Sequence, residues 1–295
     1  MSKYPTVKKT AKDPLFILNK AQQNIKSKQK SIYMFVEGDN DKKFLKNLGF
    51  TNKEIGFDGF NGKDLVKQLL ILSRKIQYST LSKCIFIMDI DYDFKVGNTI
   101  YTENNVFYHG YCNINKLHYY NDLEVFLYET KAFQKILNEF DLDEDASTLR
   151  GMLSALAAEI GYLKLADEII MKANGLSHSI IDGLDIESFI QISDFTFQKD
   201  LLKENLKIRS PKKEYVEDVF IKAIELKSED PNAKISIKGH DLTKLLEIYL
   251  KSKAKNWAKQ ANLEMTLRVG FDPTEYFNSP LGQSLATRGD IKNFL

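Results

Sequence analysis

The sequence predicts an α/β fold, in which a mostly parallel sheet is flanked by helices and followed by a largely helical C-terminal region. Two continuous apolar runs of strand length, Ile32–Val36 and Cys84–Met88, are typical of strands that are buried on both faces of a parallel sheet. Segments with helical spacing of apolar residues alternate with these runs, as they do in βα units. Beyond about residue 130 the spacing is almost wholly helical.

The first part of the chain supplies the strands and their connecting helices. Asp13 is followed by Pro14, an N-cap and first-turn pair that opens a helix. The next helix follows the first apolar run, and another follows a glycine turn at residues 59–64, capped by Asn61 or Asp64. We expect strands over residues 32–36, 54–57, 83–88 and 99–108.

The rest of the chain is expected to be helical. A long helix is predicted from Ser147 to Ala173, interrupted at Gly161. Residues 235–241 form a short β-like run in which Asp241 caps the next helix. Further helices are expected over residues 185–191, 197–206, 212–227 and 241–260.

These patterns divide the chain into three parts. Residues 1–29 form a basic segment and a helix, residues 30–130 an α/β core, and residues 131–295 a helical region. The β-like run at 235–241 is the part of the helical region expected to return to the core.

Composition restricts the classes of function. The chain has 42 basic and 40 acidic residues, a formal net charge of +2, so a nucleic-acid partner would have to be held by local patches of charge. Two cysteines among 295 residues exclude a disulfide framework and give no zinc-site spacing. The N-terminus lacks the apolar core of a signal peptide, and no uncharged run is long enough to span a bilayer. We therefore expect a cytoplasmic protein with no membrane contact.

Carboxylates follow two of the predicted strands. Glu37 comes directly after the first run, and Asp89, Asp91 and Asp93 alternate after the third strand. In extended backbone the three aspartates would point to one side, and carboxyl ends of parallel strands form the ligand-binding edge of such a sheet. Crowded carboxylates are neutralised by divalent cations, and oxygen ligands favour Mg²⁺ or Mn²⁺. Phosphoryl transfer is the chemistry that most needs this arrangement.

Ordinary structural roles compete with this interpretation. Aspartates are common in turns and at helix caps, and we assign Asp39 and Asp41 to that role. Asp93 is explained equally well as a turn residue. Asp89 is harder to explain in this way, because a carboxylate next to a buried strand is costly without a partner.

The same residues resemble the TOPRIM domain of topoisomerases, primases, OLD-family nucleases and a ribosomal-RNA maturase. The resemblance covers residues 30–130 and rests on Val36-Glu37-Gly38 and Asp89-x-Asp91-x-Asp93. Within that class the chain is similar to bacterial phage-defence proteins that include the TOPRIM effector subunit of the PARIS system, which acts beside an ABC-type ATPase. Four segments support the closer similarity: Phe35-Val36-Glu37-Gly38, Asn61-Gly62-Lys63-Asp64, Asn121-Asp122-Leu123-Glu124 and Lys238-Gly239-His240-Asp241.

The resemblance implies roles for the carboxylates. Glu37 would be a metal ligand or general acid–base, Asp89 and Asp91 the main metal ligands, and Asp93 a third, supporting ligand. Glu124 corresponds to an acidic residue beside the site that would serve a second metal. The sequence departs from the family at Gly38-Asp39-Asn40-Asp41, where a simple Gly-Lys-Thr-Asp is expected.

Basic and amide side chains complete the implied site. Lys238 is similar to the lysine with which OLD-type nucleases stabilise charge on the scissile phosphate, although it lies far along the chain. Glu37, Asp89, Asp91 and Lys238 would thus be catalytic. Asn61 and Lys63 would contact the substrate phosphate from their turn, with a glycine turn and a solvated lysine as the plain alternative. His240, in a family-like motif, is a further phosphate candidate.

The implied function is a Mg²⁺-dependent nuclease that acts in phage defence under the control of a partner ATPase, as a single chain or a homodimer. Two alternatives remain open at this point. The first concerns the substrate, which is DNA or a structured RNA such as tRNA. The second is that the chain is a non-catalytic, metal-binding regulatory or sensor subunit of an ATPase complex.

Overall fold

A computed structural model describes residues 12–181, 185–230 and 232–288 of the chain. They divide into two compact units. The first unit contains the described residues of Met1–Asp89, Tyr101–Leu117 and Pro273–Leu295, and the second contains those of Ile90–Ile100 and His118–Asp272. The basic segment predicted at the N-terminus lies largely outside the described residues.

The strands and helices have the following bounds. The strands are β1 (Ile32–Val36), β2 (Ile55–Gly59), β3 (Ile85–Met88), β4 (Val106–Tyr108), β5 (Tyr111–Cys112), β6 (Leu117–His118), β7 (Ile190–Gln191) and β8 (Thr196–Phe197). The helices are α1 (Pro14–Lys26), α2 (Asp39–Asn47), α3 (Lys63–Ser73), α4 (Leu123–Glu129), α5 (Lys131–Glu139), α6 (Ala146–Asn174), α7 (Lys199–Arg209), α8 (Val216–Glu229), α9 (Gly239–Ser252), α10 (Gln260–Gly270), α11 (Pro273–Asn278) and α12 (Pro280–Ala286). Short 3₁₀ segments cover Ile76–Leu81, Ile186–Phe189, Lys213–Tyr215 and Ala233–Ile235.

The first unit is built on a four-stranded sheet in the order β2-β1-β3-β4, in which every neighbouring pair is parallel. All residues of β1 and β3 are buried, which explains why these strands are continuous apolar runs rather than alternating ones. The predicted α/β class, with a mostly parallel sheet, flanking helices and a helical region, is confirmed.

Helix α1 begins as predicted. The Asp13 carboxylate accepts a hydrogen bond from the Leu15 N–H at 2.9 Å, and Pro14 occupies the first helical position. Lys20 of α1 is 2.7 Å from the buried Asp58 of β2, so an ion pair joins this helix to the sheet.

Near the other end of the chain, α11 and α12 also belong to the first unit, where Tyr276 packs edge-on against Phe44 of α2. The two helices therefore lie with the sheet, whereas the sequence placed them in the helical region.

Several predicted elements have different bounds in the structure. Strand β4 covers only Val106–Tyr108 of the predicted 99–108. The predicted helix at 241–260 is two helices, α9 and α10. Residues 235–241 form no strand: a 3₁₀ turn ends at Ile235 and α9 begins at Gly239 with Lys238 as its N-cap. Ile235 and Ile237 are both buried, so an alternating apolar pattern arises here from a buried turn.

Helix α6 continues through Gly161 without the predicted interruption. A Cβ at this position would lie 2.0 Å from the Ser236 carbonyl oxygen, inside the second unit. Glycine is therefore required by the close approach of another backbone segment, and it does not break the helix.

Candidate functional site

The carboxyl ends of β1 and β3 bring two predicted site residues together. Glu37 follows the last residue of β1 and Asp89 follows the last residue of β3, and these strands are hydrogen-bonded neighbours. The Asp89 backbone N–H donates a hydrogen bond to Glu37 Oε1 at 2.8 Å. The predicted position of Glu37 beside Asp89 is confirmed.

The strand order places this pair at a special point of the sheet. After β1 the chain crosses to β2 on one side, and it later enters β3 on the other side of β1. In open parallel sheets the point where the strand order reverses leaves a crevice outside the carboxyl ends, and ligands bind there. Glu37 and Asp89 occupy the two sides of that switch point.

A buried histidine and aspartate support the same edge. Asp41 Oδ2 accepts a hydrogen bond from the Gly38 N–H at 2.8 Å, so this carboxylate caps the start of α2, a role of the kind predicted for it. Its Oδ1 lies 3.1 Å from Nε2 of His109, which is 2% exposed and directly follows β4. The His109 N–H in turn donates to the Met88 carbonyl at 3.0 Å. Asp41 thus links the turn after β1 to the residue after β4.

His109 was not identified from the sequence as a residue of this edge. The available signal was its position immediately after a predicted strand, at the same edge as Glu37 and Asp89. Asp41 and His109 are 68 residues apart in the sequence, so their pairing follows only from the strand order.

The loop after β2 is fastened to the end of β1. The Phe60 N–H donates to the Val36 carbonyl and the Gly62 N–H donates to the Glu37 carbonyl, both at 3.0 Å. Gly59 has a φ of +112°, and a Cβ there would lie 2.4 Å from the Val36 oxygen. Gly62 is the N-cap of α3, so the predicted caps Asn61 and Asp64 are wrong. Asn61 is exposed and Lys63 begins the helix.

The three aspartates do not form an extended segment, so the strand geometry on which their shared side was predicted is absent. Strand β3 ends at Met88, and Asp91 has a left-handed φ of +47°, a conformation that aspartate tolerates better than most residues. The Asp93 N–H donates to the Ile90 carbonyl at 3.2 Å, and the Asp91 N–H donates to the Asn121 carbonyl at 2.8 Å. A period of two applies only while the backbone stays extended.

Asp93 has the role of a turn residue, which was the structural alternative to metal binding. Its side chain is buried and Oδ1 accepts a hydrogen bond from Asn98 Nδ2 at 2.8 Å, while its carbonyl accepts the Asn98 N–H at 2.8 Å. These contacts close the turn that follows β3. Asp91 and Asp93 both belong to the second unit.

Lys238 is positioned inside the second unit by a buried tyrosine. Its Nζ lies 4.5 Å from the centre of the Tyr92 ring and 3.4 Å from Glu168 Oε1. The Tyr92 hydroxyl donates to the Ser236 carbonyl at 2.8 Å. Burial raises the pKa of Tyr92 well above its usual value, and the negative charges of nearby carboxylates, including Asp241 and Asp91, add to the shift.

Glu124 lies in a buried cluster of charged residues in the second unit. Arg268 Nη1 is 3.5 Å from Glu124 Oε1, and both side chains are buried. Asp122 caps α4 through the Val125 N–H at 3.0 Å and also accepts the Gly239 N–H at 2.7 Å. Sequence reasoning missed Arg268, because 144 residues separate it from Glu124.

The same cluster contains His240. Its Nδ1 lies 2.7 Å from Oε1 of the buried Glu264, so this imidazole has a carboxylate partner in the second unit. The hydrogen bond with Glu264 raises the pKa of His240 to about 9. Burial, followed by the charge of Asp122, raises the pKa of Glu124 to about 7.

These shifts predict a pH-dependent stability of the second unit. The unfolded chain ionises Glu124 near its ordinary pKa of 4.5, whereas the folded chain ionises it near 7. Between these values the folded state binds more protons, so the free energy of unfolding falls as the pH rises. Replacing Glu124 by Gln should reduce the difference in the free energy of unfolding between pH 5 and pH 7.5 by on the order of 2 kcal/mol. Urea unfolding at the two pH values measures this difference.

The fluorescence of Trp257, the single tryptophan, reports on the second unit in this experiment. The raised pKa of His240 has an effect of the same sign at higher pH. Its stabilisation of the folded state is complete below pH 6.5 and is lost as the pH rises through about 9. The exposed Glu139 of α5 provides the matched Gln control. If the free energy of unfolding of Glu124→Gln depended on pH as steeply as that of the wild type, the raised pKa of Glu124 would be contradicted.

Comparison with known proteins identifies no relative: no family model, curated protein or solved structure matches the chain. In the described ranges 12–181, 185–230 and 232–288, no helix combines the length and apolar character that a membrane span requires.

Proposed function

We propose that the chain is a Mg²⁺-dependent hydrolase of nucleic-acid phosphodiester bonds, with Glu37 and Asp89 as its metal-holding residues. One observation carries the proposal. These two acidic residues follow neighbouring parallel strands at the switch point of the sheet, joined by the 2.8 Å hydrogen bond from the Asp89 N–H to Glu37. Ligand sites of parallel sheets lie at this point.

The donor atoms at this edge suit magnesium. Among the residues that the structure describes, no group of three His, Cys, Asp or Glu side chains is arranged to hold a metal. Mg²⁺ does not need such a cage, since it keeps several waters and binds through one or two carboxylates together with substrate phosphate oxygens. A bound ion would neutralise phosphate charge and favour ionisation of a water.

The protein's own contribution is positional. The Asp89 N–H fixes Glu37 Oε1, and the loop after β2 holds the Glu37 carbonyl through the Gly62 N–H. Backbone groups thereby hold Glu37 both at its carboxylate and at its main-chain carbonyl, and they are rigid supports for a site. Asp41 and His109 tie together the neighbouring strand ends.

The remaining roles stay predictions from the sequence and from its resemblance to TOPRIM proteins. They are the metal-ligand roles of Asp91, Asp93 and Glu124, the catalytic role of Lys238 and the phosphate contacts of Asn61, Lys63 and His240. The same holds for a function in phage defence, for a partner ATPase and for a homodimer.

A cleavage assay tests the proposal. The purified chain is incubated with labelled single-stranded DNA, duplex DNA and tRNA in Mg²⁺, in Mn²⁺ and in EDTA. We expect at least one substrate to be cleaved in Mg²⁺ or Mn²⁺, with activity lost in EDTA and restored by excess Mg²⁺. Cleavage that is insensitive to EDTA would contradict the proposal. Metal binding by calorimetry with no cleavage of any substrate would instead favour the non-catalytic regulatory role.

A further inference from the structure

An exposed aromatic ring lies next to the candidate metal residues in the first unit. Phe60 directly follows β2 and is 37% exposed. Its backbone has a left-handed φ of +51°, a conformation that disfavours any residue with a Cβ and favours glycine, asparagine or aspartate. Strained backbone of this kind is often kept at ligand-binding sites.

Phe60 is held rigidly to the segment that carries Glu37. The hydrogen bonds from the Phe60 N–H to Val36 and from the Gly62 N–H to Glu37 fasten both sides of the ring-bearing residue to the end of β1. These backbone contacts therefore hold Phe60 beside Glu37, one of the two proposed metal ligands.

A cation accompanies the ring. Nζ of Lys42, on the helix that follows Glu37, lies over one face of the Phe60 ring, 5.3 Å from its centre. An exposed aromatic ring beside a basic group is the combination with which proteins bind single-stranded nucleic acid, because the base stacks on the ring and the phosphate is attracted by the cation.

We infer that Phe60 is a stacking platform for an unpaired base of the substrate, which stacks on the ring face away from Lys42, with Lys42 as a contact for the adjoining phosphate. This inference deepens the proposed function and rests on it for the identity of the ligand. It assigns the substrate class: a single strand, or the loop of a folded nucleic acid. A regular duplex is disfavoured, because its bases are stacked on one another and are not available to an external ring.

The test measures binding separately from cleavage. Single-stranded DNA and RNA oligonucleotides that carry 2-aminopurine are titrated into the Glu37→Gln protein in Mg²⁺, because the fluorescence of this base is quenched when it stacks. We expect saturable binding with quenching, and weaker binding of the matching duplex. Adding Phe60→Ala should weaken binding roughly fivefold to 100-fold and abolish the quenching, whereas Phe60→Trp should retain both.

The variants isolate the ring. Alanine also has a Cβ, so Phe60→Ala leaves the backbone preference unchanged and removes only the aromatic surface. Phe16→Ala is the matched control, because Phe16 is an exposed phenylalanine of α1, 46% exposed, in the same unit. Thermal unfolding shows that each variant is folded.

The inference and the proposed function fail in different ways. Binding and quenching by Phe60→Ala equal to those of the parent would overturn the stacking role, as would a Phe60→Trp protein as defective as Phe60→Ala. Either result would leave a Glu37-dependent cleavage activity untouched. Conversely, Phe60-dependent quenching in a protein that cleaves no substrate would support the stacking platform and overturn the nuclease assignment. Binding of the duplex as tight as that of the single strand would overturn the substrate class.

Discussion

Replacing Glu37 by Gln is expected to reduce metal-dependent phosphodiester cleavage by about 10³-fold, which corresponds to about 4 kcal/mol of transition-state stabilisation. The reason is the loss of one of the two carboxylates proposed to hold Mg²⁺ at the switch point of the sheet. Glutamine keeps an Oε1 atom that accepts the Asp89 N–H, which lies 2.8 Å from this position in the native chain. The strand ends should therefore remain joined. Asp89→Asn is expected to produce a loss of similar size.

The control for this experiment is Asp39→Asn. Asp39 is an exposed carboxylate in the first turn of α2, two residues after Glu37, so it tests whether any change of charge near this turn lowers the rate. We expect its activity to stay within about threefold of the wild type. The rates are measured with the substrate that is cleaved best, alongside thermal unfolding of each protein. Wild-type rates in both Glu37→Gln and Asp89→Asn would refute the assignment of the metal site.

The sheet and the Glu37–Asp89 pair were predictable because both follow from local rules. A strand that is buried on both faces reads as a continuous apolar run, and the last residues of parallel strands meet at one edge. Val36 and Met88 end such runs, so the apolar pattern alone is enough to place the residues that follow them at one edge of the sheet.

The course of the chain beyond β3 was not predictable in the same way. The periodicity that identifies a strand carries no information on the residue at which the chain turns. Asp91 adopts a left-handed backbone and Asp93 closes a turn with Asn98, so three carboxylates with strand spacing have different surroundings. The buried pairs of Asp41 with His109 and of Glu124 with Arg268 join residues that are 68 and 144 positions apart. Such pairings depend on topology, which local patterns do not contain.

Gly161 shows the same limit for a single residue. Within a helical pattern a glycine indicates a weak point or an end, and the sequence pattern predicted an interruption for that reason. In the structure α6 is unbroken, and the glycine exists because the Ser236 backbone passes too close for a side chain. The physical reason lies in a segment 75 positions later in the chain, which is also the segment that accepts the Tyr92 hydroxyl.

This explanation predicts opposite effects for two glycines of one helix. Gly161→Ala is expected to lower the free energy of unfolding of the second unit by about 2–4 kcal/mol, since the new Cβ would lie 2.0 Å from the Ser236 oxygen and 2.7 Å from its carbonyl carbon. Gly151→Ala, where a Cβ meets nothing within 4 Å, should raise it by about 0.5–1 kcal/mol, because alanine is the better helix former.

Urea unfolding followed by the fluorescence of Trp257, which stacks on Phe140 in the same unit at 4.1 Å between ring centres, measures both changes. If Gly161 were only a tolerated weak point of α6, alanine would stabilise the helix at both positions. A destabilised Gly161→Ala beside a stabilised Gly151→Ala separates close backbone packing from helix propensity, because the two substitutions differ only in what surrounds the added methyl group.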